Sequence, residues 1–191
     1  MSVFIVLEGI DGSGKSSVAE YLEKELENVI VTREPSDSPA GKLAGRSSHE
    51  DTPPHYDFFL YLADRLYHTT EIKRWLNDGK DVICDRYWGS TSAYQAASGE
   101  ISLDYTIETQ RDFVKEPDLT ILFDLAPEES LERISHREKK SKYENMDYLD
   151  RVRDNYLKMA EEYDWTIIDA GKELEDVKQE VLSLAKKEIN R

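Results

Sequence analysis

Eight consecutive residues carry the clearest chemistry in the chain: Gly9-Ile10-Asp11-Gly12-Ser13-Gly14-Lys15-Ser16. They fit the pattern of two glycines separated by four residues and followed by a lysine and a hydroxyl side chain. Glycines let a backbone turn tightly around an anion, so that several N–H groups point inward. A helix beginning behind such a loop turns its positive end to the same anion. Lys15 then supplies a point charge for the β- and γ-phosphates, and Ser16 a hydroxyl for Mg²⁺. The pattern marks a nucleoside triphosphate site over Gly9–Ser16, with Ser17 at its edge, and is silent about the acceptor.

Other polar residues gather where short apolar runs end. One run closes in Thr32-Arg33-Glu34-Pro35. Another closes in Asp85-Arg86-Tyr87 and leads into Ser90-Thr91-Ser92-Ala93-Tyr94-Gln95. Tyr61 and Arg65 stand four apart, on one face of a helix. A ring and a guanidinium so placed are able to stack a planar base and bond its edge. Two highly charged phosphate groups react only if cations lie between them. Lys15 in the loop and Arg86 at a strand end suit that task, and Asp85, ending an apolar strand, suits the coordination of metal-bound water. Each has an ordinary alternative. Tyr61 and Tyr94 suit a core, Arg65 an ion pair with Asp64 or Glu71, Asp85-Arg86 a structural pair, Gln95 a solvated surface and Glu34 a turn cap.

The elements that must position these residues follow from pattern. Ser2–Leu7, Val29–Thr32, Asp81–Asp85, Leu119–Phe123 and Trp165–Ile168 read as strands. Helical spacing covers Val18–Leu26 and Thr52–Leu76, the latter stopped by Asn77-Asp78-Gly79. Further helices are expected at Leu103–Val114, Pro127–Ser135, Met146–Tyr163 and Glu173–Ile189, and a flexible loop at 47–54. Continuous apolar strands alternating with helices predict a parallel sheet covered on both faces. Ligands of such sheets sit beyond the carboxyl ends of the strands.

With these motifs in this order, the chain resembles the thymidylate kinase family of P-loop nucleoside monophosphate kinases over nearly its whole length. The carriers are Gly9–Ser16, Thr32-Arg33-Glu34-Pro35, Tyr61-Leu62-Ala63-Asp64-Arg65, Asp85-Arg86-Tyr87 and Ser90 with Ala93-Tyr94-Gln95. The resemblance implies an α/β P-loop fold with a five-stranded parallel sheet in the order 2-3-1-4-5, one domain over residues 1–191 and a mobile lid near 133–145. It implies transfer of phosphate from ATP to dTMP with Mg²⁺ held by Ser16 and Asp85, partly through water. A related acceptor such as dUMP or a deoxynucleoside is the alternative, with Glu34 as the base in the latter case; a nucleotide-binding switch is a remoter one. By the same resemblance Tyr61 stacks on the base, Arg65 bonds its edge and Gln95 holds its other side. Tyr94 crowds the 2′ side of the sugar, Arg86 holds the acceptor phosphate, and Asp11 and Glu34 lie near acceptor and metal, with Ser90 beside them. A homodimer packed through helices is also implied. One departure stands out. Family members place an arginine shortly after the Gly41 region, and Arg46 is shifted by one place and follows a glycine.

Leu131–Lys142 sets five cations, Arg133, Arg137, Lys139, Lys140 and Lys142, against Glu132 and Glu138. A solvated charged helix is one reading. The other is a cationic lid that closes over the triphosphate. The family that the chain resembles supplies an arginine either from the phosphate loop or from the lid; the loop here carries none, so the resemblance implies the lid, with Arg133 and Arg137 as the candidates.

Composition narrows the classes. In 191 residues, 25 Lys+Arg face 40 Asp+Glu, a net charge of −15 that argues against binding nucleic acid polymers. A 39% hydrophobic share suits a folded chain. No apolar run approaches the ~20 residues of a membrane helix, and the start of the chain lacks the features of a signal peptide. Cys84, a single cysteine, points to the reducing cytoplasm.

Overall fold

A computed structural model describes residues 2–136 and 141–191. Five strands form one parallel sheet: β1 (Phe4–Gly9), β2 (Val29–Arg33), β3 (Asp81–Asp85), β4 (Leu119–Asp124) and β5 (Thr166–Asp169), in the order β2-β3-β1-β4-β5. The eight helices among the described residues are α1 (Lys15–Glu25), α2 (Pro39–Ser47), α3 (Pro54–Asn77), α4 (Trp88–Ala97), α5 (Leu103–Gln110), α6 (Pro127–Ile134), α7 (Met146–Glu162) and α8 (Leu174–Ile189). The α/β fold and strand order match the sequence reading.

The order follows from burial. Every residue of β1 is buried, and so are most of β3 and β4, as strands with helices on both faces must be. The less apolar β2 and the four-residue β5 take the edges. Register then aligns the chemistry. Leu7 and Arg33 both pair with Asp85, and Gly9 pairs with Phe123. The residues that follow β1, β2 and β3 therefore leave the sheet along one rim.

Several boundaries differ from expectation. The first strand runs on to Gly9, and α1 starts at Lys15 rather than Val18, because the loop glycines end where the helix begins. The fifth strand starts at Thr166, one residue after Trp165, and α5 ends at Gln110. The short helix α2 begins with Pro39 behind Ser38, whose hydroxyl accepts from the Gly41 N–H at 2.9 Å. Its polar, glycine-containing sequence hid it. α4 was hidden too, for a reason that lies in the site.

Candidate active site

The donor loop is built as its sequence requires. Gly14 caps α1 in the left-handed conformation at φ 90°, which a side chain would disfavour. Lys15 is buried, and its Nζ donates to the Ile10 carbonyl at 2.7 Å and to Ser13 Oγ at 3.0 Å. Burial, and then the Arg86 guanidinium, lower its pKa to about 7. Ser16 donates to Asp85 Oδ2 at 2.6 Å. The other oxygen, Asp85 Oδ1, is buried and has no hydrogen-bond partner among the described residues. A carboxylate oxygen left unpaired beside a hydroxyl is a donor set suited to a hydrated Mg²⁺. Ser17 lies exposed on the next helical position.

Beside the loop opens a cavity of about 230 Å³. Asp11, Glu34, Tyr61 and Arg65 line it, and so do Arg86, Ser90, Tyr94 and Gln95. These eight residues come from four separate segments of the chain. Arg86 sits where cavity and loop meet. Its backbone takes φ 70°, a costly setting for a non-glycine residue, and turns the side chain back over the loop. Nη2 donates to Asp11 Oδ1 at 2.8 Å, and Nη1 to the Gly9 carbonyl at 3.0 Å and Ser90 Oγ at 3.2 Å. The guanidinium lies over the Tyr94 ring, 5.4 Å from its centroid. Tyr94 in turn accepts from the Asp11 N–H at 3.2 Å.

The ordinary alternatives resolve one by one. Asp85 and Arg86 do not pair with each other; their partners are Ser16 and Asp11. Arg65 is 1% exposed and pairs with Glu34, and it also donates to Gln110 Oε1 and, at 3.1 Å, to Thr91 Oγ1. Asp64 accepts instead from Ser36 N–H at 2.7 Å and Ser38 Oγ at 2.6 Å, holding the turn that follows Glu34-Pro35. Glu34 is buried and carries His68 Nδ1 on its second oxygen at 3.0 Å. Gln95 is buried rather than solvated, and Tyr61 faces the cavity while partly buried.

Several residues here escaped sequence reading. Glu8, 1% exposed, accepts the backbone N–H groups of Tyr87 at 3.0 Å and Ser90 at 3.1 Å, and the Ser90 hydroxyl at 2.5 Å. It caps α4, which has no capping side chain of its own, and so seats the turn that presents Arg86. Burial raises its pKa. Gly89 makes the approach possible, because a Cβ there would lie 2.9 Å from Glu8 Oε1. A cap supplied by another strand explains why α4 was not foreseen. The available signal was a carboxylate in an otherwise apolar strand just before the loop. Tyr143 also lines the cavity, and Thr91 joins it from α4.

The basic segment divides. Arg133 donates to the Gly12 carbonyl at 3.3 Å and to the Ala170 carbonyl at 2.9 Å, so it lies against the donor loop and the end of β5, not against the cavity. Arg137 lies outside the described residues. Ser141 and Tyr143 border the cavity, and the Lys142 N–H donates to the Ser48 carbonyl at 3.0 Å. On α2 Gly45 borders the cavity while Arg46 is exposed, as a one-residue shift of about 100° around a helix requires.

The sequence profile of one protein family, thymidylate kinase, matches residues 7–181. The chain belongs to the thymidylate kinase family. It is a phosphotransferase of the P-loop class. A protein of Pyrobaculum calidifontis described as a probable thymidylate kinase is 41% identical over 187 residues, 95% of each chain. Proteins of the same description from Pyrobaculum aerophilum and Archaeoglobus fulgidus are each 40% identical, the first over 97% of both chains and the second over 98% of this chain and 97% of its own.

Proposed function

We propose that this chain transfers the γ-phosphoryl group of ATP to dTMP, giving dTDP and ADP, and that it needs Mg²⁺. The observation that carries the reading is the placement of Arg86. One guanidinium bonds the donor loop at Gly9 and Asp11 and also lines the acceptor cavity. A cation there faces both anions that must meet. An acceptor phosphate is already ionised, so its oxygen attacks the γ-phosphorus without a base, and the β–γ bridging oxygen leaves with ADP. Ser16 and, through water, Asp85 would hold Mg²⁺, which screens the β- and γ-phosphates. Lys15 neutralises charge on the transferring group, and Arg133 and Arg137 join it from a lid over 133–145. Tyr61, Arg65, Gln95 and Tyr94 bind the nucleoside, and Ser90 steadies Arg86. Both oxygens of Glu34 are engaged, by Arg65 and His68, which suits positioning rather than proton abstraction.

The deciding experiment is ADP release with ATP and Mg²⁺ against dTMP, dUMP, dCMP, UMP, thymidine and no acceptor. Fast turnover with dTMP and negligible turnover with UMP and thymidine is the expected pattern. Turnover with thymidine but not dTMP would replace the reading with a nucleoside kinase, and a blank rate unmoved by any acceptor would replace it with a nucleotide switch.

Lys15 supplies a second test. Its pKa near 7 lies below its unfolded value of 10.5. Between those values the unfolded chain binds more protons, so the ligand-free protein should gain stability as pH rises through that window. Bound triphosphate favours the ammonium. Binding of ATP at pH 8 should therefore take up close to one proton, measured by calorimetry in buffers of different ionisation heat. Uptake that persists in Lys15→Met would sink this assignment.

Among the described residues no helix is long and apolar enough to cross a membrane. We place the protein in the cytoplasm as a homodimer. Tyr56, Phe59, Leu66 and Tyr67 form an exposed stripe on α3 at helical spacing. Phe59→Glu should shift the mass measured by light scattering from dimer to monomer. An unchanged mass would exclude this face.

A further inference from the structure

We propose that Asp57 is a positioning residue that decides which end of the Gln95 amide meets the acceptor base, acting through the hydroxyl of Tyr143. This rests on the pyrimidine-acceptor reading above and adds a reason for its specificity. Asp57 lies in the first turn of α3, is 1% exposed, and has no part in the transfer just described. It accepts from Thr52 Oγ1 at 2.7 Å, Lys142 Nζ at 2.5 Å and the Tyr143 hydroxyl at 3.1 Å. A carboxylate only accepts, so the Tyr143 proton points to Asp57. The Tyr143 oxygen is then left to accept, and its other neighbour is Gln95 Nε2 at 3.3 Å. Only the NH₂ end of an amide donates, so the amide is turned with NH₂ to Tyr143 and the carbonyl to the opposite side.

That carbonyl opens to the cavity. Among the described residues Gln95 Oε1 has no hydrogen-bond partner, yet the buried polar side-chain atoms left unpartnered are only Arg65 Nε and Asp85 Oδ1. Gln95 and Tyr143 both line the cavity, with the Tyr143 ring edge-on to Tyr94 at 5.5 Å. An acceptor oxygen at the base edge favours a pyrimidine carrying a ring N–H, as thymine and uracil do at N3, over cytosine, which presents a bare N3. Without the relay the amide is free to turn and the preference weakens.

The test compares dTMP, dUMP and dCMP in steady-state kinetics and in calorimetric binding without ATP, for the unaltered protein, Tyr143→Phe and Asp57→Ala. Asp57→Ala removes the oxygen that Lys142 and Tyr143 share and leaves the Tyr143 hydroxyl free to donate to Gln95. Both variants should lower the dTMP-to-dCMP ratio of kcat/KM by about tenfold, mainly through KM, and lower the ratio of affinities alike. Thermal midpoints identify a variant that fails to fold, and Tyr143→Phe, which removes one oxygen, decides if Asp57→Ala does. Ratios within about twofold of the unaltered protein would overturn the relay while leaving dTMP phosphorylation standing. An unaltered protein inactive with every pyrimidine monophosphate would overturn both.

Discussion

Lys15→Met should lower kcat by on the order of 10³-fold and leave the folded state as stable as before or more so. Lys15 is 4% exposed, and its bonds to Ile10 and Ser13 only partly offset the burial of an ammonium. Methionine fills a similar volume without charge, so the substitution relieves the burial that depresses the lysine's pKa. In the function proposed above it removes the cation inside the triphosphate loop, where charge spread over a transferring phosphoryl group needs it most. The loss should fall on kcat more than on the dTMP KM, because the acceptor cavity has other walls. Single-turnover kinetics beside a thermal melt separate the two effects. A variant that keeps more than about a tenth of the activity would mean that another cation carries the transferring group.

The second large effect is on stability. Arg65→Ala should destabilise the fold by about 3–5 kcal/mol in urea unfolding. The guanidinium is buried with Glu34, Gln110 and Thr91, and lies 5.2 Å from the centre of the Tyr87 ring. Its removal leaves the Glu34 carboxylate buried with His68 alone and opens a cavity beneath α4. Pairing Arg65→Met with Glu34→Gln should cost clearly less than the sum of the two single changes, the mark of a coupled buried pair. Additive losses would show that the two side chains act independently.

Much of the site was legible because its chemistry is local in sequence. Loop glycines, a lysine and a serine must be neighbours to wrap one phosphate chain, so Gly9–Ser16 announces itself. Tyr61 and Arg65 are visible as a pair because a helix brings residues four apart to one face. The residues that went unread work across long separations. Glu8 caps a helix 79 residues further on, at Tyr87, and Asp57 meets Tyr143 from 86 residues away. No local pattern encodes such partners. Arg46 is the converse case, where a one-residue shift in a regular helix left Gly45 rather than the arginine beside the cavity.

By itself the sequence determined the class of fold, the glycine-rich loop before α1 and most of the polar side chains that line the cavity beside it. Apolar runs of strand length alternating with helical spacing admit few arrangements other than a covered parallel sheet. Only the tertiary structure decided how those side chains are paired. It gave Arg65 to Glu34 rather than to Asp64, Arg86 to Asp11 rather than to Asp85, and left Asp85 beside Ser16 with one oxygen unpartnered among the described residues. The physical reason is that a charged group has several candidate partners along the chain. Which one it meets is set by strand register and helix packing, and burial then makes the choice costly to reverse.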